Sequence, residues 1–156
     1  MRRAPDRLWH DAVHEAGHAV IARTLGLTSG YTNLFPGCAE HMSGHPFIHD
    51  ALQSWSWNCR HPERNGNDDA FWRGMIIARM AGAEAEREII GSCLGRCGDD
   101  SRSSDLIRDG LGNEQPEDAA RMRRFARHLV KRHREAILRF ADQLVAAVEL
   151  DELVAG

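Results

Sequence analysis

No apolar run in this chain approaches the roughly 20 residues that a membrane span requires, so nothing in it reads as a transmembrane helix. The basic start, Met1-Arg2-Arg3-Ala4-Pro5-Asp6-Arg7, is followed by no apolar h-region, and a secretory leader is therefore not expected. Charge of one sign is lacking too. The formal net charge is −3, with 28% charged and 42% hydrophobic residues, which gives no global argument for nucleic acid or for an acidic substrate. Cysteine is sparse: Cys38, Cys59, Cys93 and Cys97. They contain a single C-x3-C pair, whereas a structural zinc usually draws on two such pairs. Without an export signal the expectation is a cytoplasmic protein with reduced thiols, Cys93 and Cys97 standing at a helix end and in the turn after it. There is no internal repeat and no low-complexity segment. The 156 residues fit one domain, long enough to bury roughly two thirds of the unfolded surface.

Periodicity makes the chain mostly α. A first helix is expected over Leu8 to Leu25, capped by Asp6 and stopped by Gly26. Residues 28 to 69 hold Gly30, Pro36, Gly37, Gly44, Pro46, Pro62 and Gly66 and are the least regular part, a length of irregular chain that is usually functional or mobile. Within them Tyr31-Thr32-Asn33-Leu34-Phe35 has weak strand character, so a small strand or edge element is expected near residues 30–36. A second helix is expected over Ala70 to Ile90, with Met75, Ile76, Met80, Ala83 and Ile89 as its apolar stripe. A Gly/Ser/Asp-rich loop over residues 91–104 leads to a short helical piece, Asp105 to Arg108, broken by Gly110, Gly112 and Pro116. The longest helical segment runs from Glu117 to about Leu150, with a bend or break expected near His133. Its apolar side is Met122, Phe125, Leu129, Ile137, Leu138, Phe140, Leu144, Val145 and Val148.

His14-Glu15-Ala16-Gly17-His18 in the first helix is an H-E-x-x-H motif. Residues four apart lie one turn apart on one helix face, so His14 and His18 can share one metal ion, with Glu15 beside them as a base rather than a ligand. With nine His in the chain, the motif arises by accident in roughly 0.04 chains of this composition. Its setting strengthens it. Ala12, Ala16, Gly17 and Ala19 are small and let another backbone approach, and Gly17 gives up about 1 kcal/mol of helix propensity relative to Ala.

Two histidines do not hold a catalytic zinc; a third protein ligand is needed, with the fourth position left for water. Three groups compete for that role: Asp105, the pair Glu84 and Glu86, and the evenly spaced His41, His45 and His49. Gly44 and Pro46 interrupt the trio, which reads more simply as solvent-exposed loop histidines. The plainer reading of Asp105, as the N-cap of its short helix, fits the same local pattern. Glu86 is a candidate partner for the second nitrogen of a ligating histidine, or an exposed carboxylate paired with a nearby arginine.

Several segments together resemble a known family. Val13-His14-Glu15-Ala16-Gly17-His18-Ala19-Val20 is similar to the zinc helix of the FtsH-type ATP-dependent zinc metallopeptidases, with its HEAGHA core. Gly30-Tyr31-Thr32-Asn33-Leu34-Phe35-Pro36 looks like a shortened form of that family's G-Y-T-x-x-L-P strand. Met80-Ala81-Gly82-Ala83-Glu84-Ala85-Glu86 with Ile89-Ile90-Gly91 is similar to its L-(G/A)-G-R-A-A-E-E-x-x-x-G helix. Ser103-Ser104-Asp105-Leu106 resembles the segment that supplies its third zinc ligand, and His133 through Asp151 looks like its closing helix. The resemblance implies a single FtsH-peptidase-like domain over residues 1–156, with zinc as cofactor, His14, His18 and Asp105 as ligands and Glu15 as base. Departures are clear. There is no Walker-type G-x-x-x-x-G-K-(S/T), only about seven residues precede the first helix, Ala83 replaces the family's arginine, and Arg108-Asp109-Gly110 replaces the A-T that follows its D-L segment. ATP dependence therefore does not carry over.

The expectation is a zinc-dependent, ATP-independent metalloendopeptidase in which Glu15 takes a proton from zinc-activated water and passes it to the leaving amine. The alternative is a zinc-stabilised binding or regulatory module, derived from such a peptidase and no longer catalytic. The partner is a polypeptide substrate; no nucleic acid is expected, and there is room for a separate ATPase partner and for an oligomer. Tyr31 and Thr32 could bind peptide as an added strand through backbone hydrogen bonds, or form an edge strand that only packs. Phe71 and Trp72 read as core, whereas Trp55 and Trp57 suit either core or a pocket wall. The basic run Arg121, Arg123, Arg124, Arg127, Lys131, Arg132 and Arg134 reads as a solvated helix face.

Overall fold

The computed structural model describes residues 7–26, 68–94 and 116–155. They form four helices, and among the described residues there is no strand. The mostly-α expectation therefore holds. The strand expected near residues 30–36, the helical piece at Asp105 and the helix cap Asp6 lie outside the described residues.

α1 spans Arg7–Thr24. It ends where Gly26 takes the left-handed conformation, φ +73°, which residues with a Cβ rarely adopt. Every residue from His10 to Ala19 is buried, so this helix is packed on all sides and forms the centre of the domain. α2, Asp68–Ala85, runs straight into a π-helical turn, Glu86–Ile90, so the second helix begins two residues earlier than its periodicity suggests and changes its winding before it ends. The Gly91 N–H donates to the Glu86 carbonyl at 3.1 Å, the five-residue bond that widens the turn, and Gly91 at φ +88° closes it.

The expected long final helix is two helices, α3 (Pro116–Arg132) and α4 (Arg134–Ala155), divided at His133. The division has a packing reason. α3 lies against α2 and α4 lies against α1, with little contact between α3 and α4 themselves. A straight helix could not serve both partners.

The core joins Ala12, Val13, Ala16 and Ile21 of α1 to Met75, Ile76, Met80 and Ala81 of α2, with Met122, Ala126 and Val130 of α3 and Ile137, Ala141, Leu144 and Val148 of α4. Ile21, Met75, Ile76 and Ile137 are fully buried, each worth about 1.5–3 kcal/mol of transfer free energy. Trp72 packs against this core. Phe125 does not join it. It is 46% exposed and stacks on His128 with ring centroids 6.5 Å apart. The buried face of α3 runs through Met122, Ala126, Leu129 and Val130, and at about 100° per residue Phe125 falls just beside it.

A buried carboxylate fastens α3 to α2. Glu84, with no exposed surface, accepts from Arg87 Nη1 at 2.7 Å, Arg123 Nη1 at 3.3 Å and Arg127 Nε at 2.8 Å. Charge-assisted bonds of this kind offset the cost of burying the carboxylate. Part of the basic run on α3 is thus committed to structure, and Lys131 adds a longer pair to Glu88 at 3.7 Å. Arg121, Arg124 and Arg132 stay exposed as expected.

α1 and α2 meet at glycines. A Cβ on Gly17 would lie 2.7 Å from Ala85 Cβ and 2.8 Å from the Ala81 carbonyl oxygen, so the small residue noted in the motif is a packing requirement. Gly17→Ala is expected to lower stability. Overpacking at such a contact costs about 1–3 kcal/mol, which outweighs the roughly 1 kcal/mol alanine gains in helix propensity. Urea denaturation of the two proteins measures the difference.

Candidate metal centre

His14 and His18 project from one face of α1 onto α2. Their Nε2 atoms are 3.0 Å apart and their rings are almost perpendicular, at 84° with centroids 4.6 Å apart. Both are buried, 3% and 5% exposed. Gly82 on α2 makes the room: a Cβ there would stand 2.5 Å from His18 Nε2 and 2.9 Å from His14 Nε2.

The opposite nitrogens are committed. His18 Nδ1 lies 2.8 Å from the Ala78 carbonyl oxygen, which can only accept, so this nitrogen carries the hydrogen. His14 Nδ1 donates to Glu86 Oε1 at 2.6 Å, an oxygen of an ionised carboxylate. Burial by itself pushes the Glu86 carboxyl up. The hydrogen bond and charge of His14, the Leu94 backbone N–H and the bond from His10 outweigh it and hold its pKa at about 2. The two Nε2 atoms face each other at hydrogen-bond distance, so a proton on one of them bridges the pair. A metal ion bound by both would take the place of that proton. Two imidazole nitrogens bound to one tetrahedral zinc at about 2.0–2.1 Å stand about 3.3 Å apart. The two nitrogens are thus spaced close to what a pair of imidazoles on one tetrahedral ion would need.

Glu86 is saturated. Oε1 receives His14 Nδ1 and, at 3.8 Å, the Cys93 thiol; Oε2 receives His10 Nδ1 at 3.1 Å and the Leu94 N–H at 3.0 Å. Its four acceptor positions are taken, so it orients His14 and does not compete to be a ligand. It is also not the exposed, arginine-paired carboxylate that one sequence reading allows. That description suits Glu84 in part, whose oxygens are held by three arginines and turned away from the histidines. Of the described third-ligand candidates, neither glutamate is placed to serve.

Among the described residues no set of three His, Cys, Asp or Glu side chains comes together that could hold a metal ion. Asp105, His41, His45 and His49 lie outside the described residues, as do Tyr31, Thr32, Trp55 and Trp57. Glu15 is buried, 4% exposed, on the same turn as the two histidines.

His10 is the residue that sequence reasoning misses. The signal is there: His10, His14 and His18 follow one another at four-residue intervals, and the first reaches the carboxylate that orients the second. A motif search that starts at H-E-x-x-H does not look one turn upstream. Cys93 is free of disulfide, as expected, but it is one of the groups around Glu86.

Compared with models of protein families, with curated proteins and with solved structures, the chain finds no match.

Gly82→Ala is expected to separate the two imidazoles, and any zinc they share would be held about 5- to 150-fold more weakly, since overpacking of about 1–3 kcal/mol falls directly on the paired nitrogens. Competition against a chromophoric chelator measures it, with circular dichroism as the check that the helices persist.

Proposed function

We propose that this protein is a zinc-dependent metallopeptidase that hydrolyses peptide bonds without ATP, built on the peptidase-domain plan of the FtsH-type enzymes it resembles in sequence. The observation that carries the reading is the histidine pair: two buried imidazoles, each with Nδ1 bound to a fixed acceptor, face each other with their Nε2 atoms 3.0 Å apart. A fixed acceptor on the Nδ1 of each ring is the arrangement that usually orients metal-ligating histidines.

In this proposal His14, His18 and Asp105 hold the zinc, the last assigned from the S-D-L resemblance alone. A zinc ion so held supplies Lewis acidity that polarises the scissile carbonyl and makes water nucleophilic near neutral pH. Glu15 accepts the proton from the attacking water and delivers it to the leaving amine, the general acid–base role that follows from its place between the two histidines. Its burial within α1 keeps bulk water from competing for that proton. Glu86 holds His14 in the ligating tautomer, and the Ala78 carbonyl does the same for His18. Tyr31 and Thr32 are assigned to peptide binding by resemblance. The substrate class is unfolded polypeptide, and the setting is cytoplasmic. Among the described residues no helix is long and apolar enough to cross a membrane.

Purified protein is expected to contain one zinc per chain and to cleave casein slowly in a reaction stopped by chelator. Glu15→Gln should keep the zinc and lower turnover by about 10²–10⁴-fold; undiminished cleavage would remove Glu15 from the mechanism. His14→Ala should lose the metal. Full zinc occupancy in Asp105→Ala would exclude Asp105 as a ligand, and a parent protein that binds zinc yet cleaves no peptide in a library digestion would leave a zinc-stabilised binding module in place of an enzyme.

A further inference from the structure

Between α1 and α4 lies an open cavity of about 480 Å³, within the roughly 300–1,000 Å³ typical of small-molecule sites. α1 lines it with Val20, Arg23 and Thr24. α4 lines it with Arg139, Phe140 and Gln143, and His133 joins them from the break that precedes α4. At about 100° per residue, Val20 and Arg23 lie on the side of α1 opposite His14 and His18. The cavity is therefore separate from the metal centre.

Its charge is of one sign, since none of the residues lining it is acidic. Elsewhere the fold closes its arginines on carboxylates: Arg87, Arg123 and Arg127 on Glu84, and Arg73 on Asp118. Among the described residues Arg23 and Arg139 have no such partner. Glu135 and Asp142, the acids nearest Arg139 along its own helix, do not line the cavity, and Glu135 is 80% exposed and pairs with Arg134. The Thr24 hydroxyl donates to the Val20 carbonyl at 2.8 Å. The donors left to an incoming group are thus the two guanidiniums, the Gln143 amide and the His133 ring. A guanidinium is always charged, and its forked N–H groups match the oxygens of a carboxylate or phosphate. Val20 and Phe140 pack on the core with only part of their surface covered, so the cavity also offers an apolar wall. Exposed cations beside a half-buried apolar wall complement one kind of guest, an anionic head on an apolar body.

We infer that this cavity binds a small amphipathic oxyanion, a carboxylate or phosphate monoester on a hydrocarbon body. The head sits between Arg23 and Arg139, and the hydrocarbon lies against Val20 and Phe140. The inference does not rest on the zinc reading above.

Calorimetric titration of the whole chain with octanoate and octyl phosphate tests it. Both are expected to bind, and the tighter of the two identifies the head the site prefers. Octylammonium keeps the body and reverses the charge, whereas acetate keeps the head and drops the body; each is expected to bind at least about tenfold more weakly. Arg23→Gln and Arg139→Gln are each expected to weaken octanoate about tenfold, through loss of charge-assisted hydrogen bonds. Gln143→Glu, nearly isosteric at an exposed position, places a negative charge in the cavity and is expected to weaken octanoate as well. Arg124→Gln removes the same charge from an exposed position on α3 and is expected to leave the affinity unchanged. Circular dichroism checks that each variant keeps its helices. A parent that binds neither anion would overturn the inference. So would parental affinity for octanoate in a folded variant lacking both Arg23 and Arg139, or octylammonium bound as tightly as octanoate. An equal loss in Arg124→Gln would trace the effect to the charge of the whole chain and remove the site.

Discussion

The structure depends on how closely α1 and α2 approach. Gly17 on one helix and Gly82 on the other remove the Cβ atoms that would hold the backbones apart, and everything chemical follows from the distance that results. Gly17 lets α1 settle against Ala81 and Ala85. Gly82 leaves a gap into which the edges of His14 and His18 fit, and the Ala78 carbonyl and Glu86 come within hydrogen-bonding reach of them. Each glycine gives up helix propensity. The same residues that weaken the two helices in isolation are the ones that allow the pair to form.

Burial of charge then divides along α2. Glu84 and Glu86 are two residues apart and so face nearly opposite directions on the helix. Glu84 turns to α3 and takes three arginines that reach in from the surface; Glu86 turns to α1 and takes two histidines. One carboxylate joins helices and the other orients imidazoles. Both have no exposed surface, and both are tolerated for the same reason, that donors surround them.

Much of this was legible in the chain. Periodicity gives the helices, and the interruption at His133 is foreshadowed by the length and polarity of the final segment. The spacing of His14 and His18 places them on one face without any structure. What could not be read has physical causes. A 3.6-residue pattern carries no mark of a π turn, so the widening at Glu86 is invisible in the sequence. Phe125 looks apolar and periodic, but a stripe has an edge and only the partner helix says where it lies. Which of Glu84 and Glu86 faces the histidines depends on the rotation of α2 against α1, a tertiary quantity. Asp105 is assigned by resemblance and not by spacing.

The π turn at Glu86–Ile90 has a consequence for how chains of this kind can differ in length. A helix with one bond spanning five residues in place of four holds one residue more than an α-helix covering the same path. Deleting a single residue between Glu86 and Gly91 would give back an ordinary turn and leave the packing of α2 on α1 intact up to Ala85. It would also swing all that follows by about 100°, carrying the Leu94 N–H and the Cys93 thiol away from the carboxylate they now cap. A one-residue deletion at this place is therefore also a removal of half the donors around Glu86.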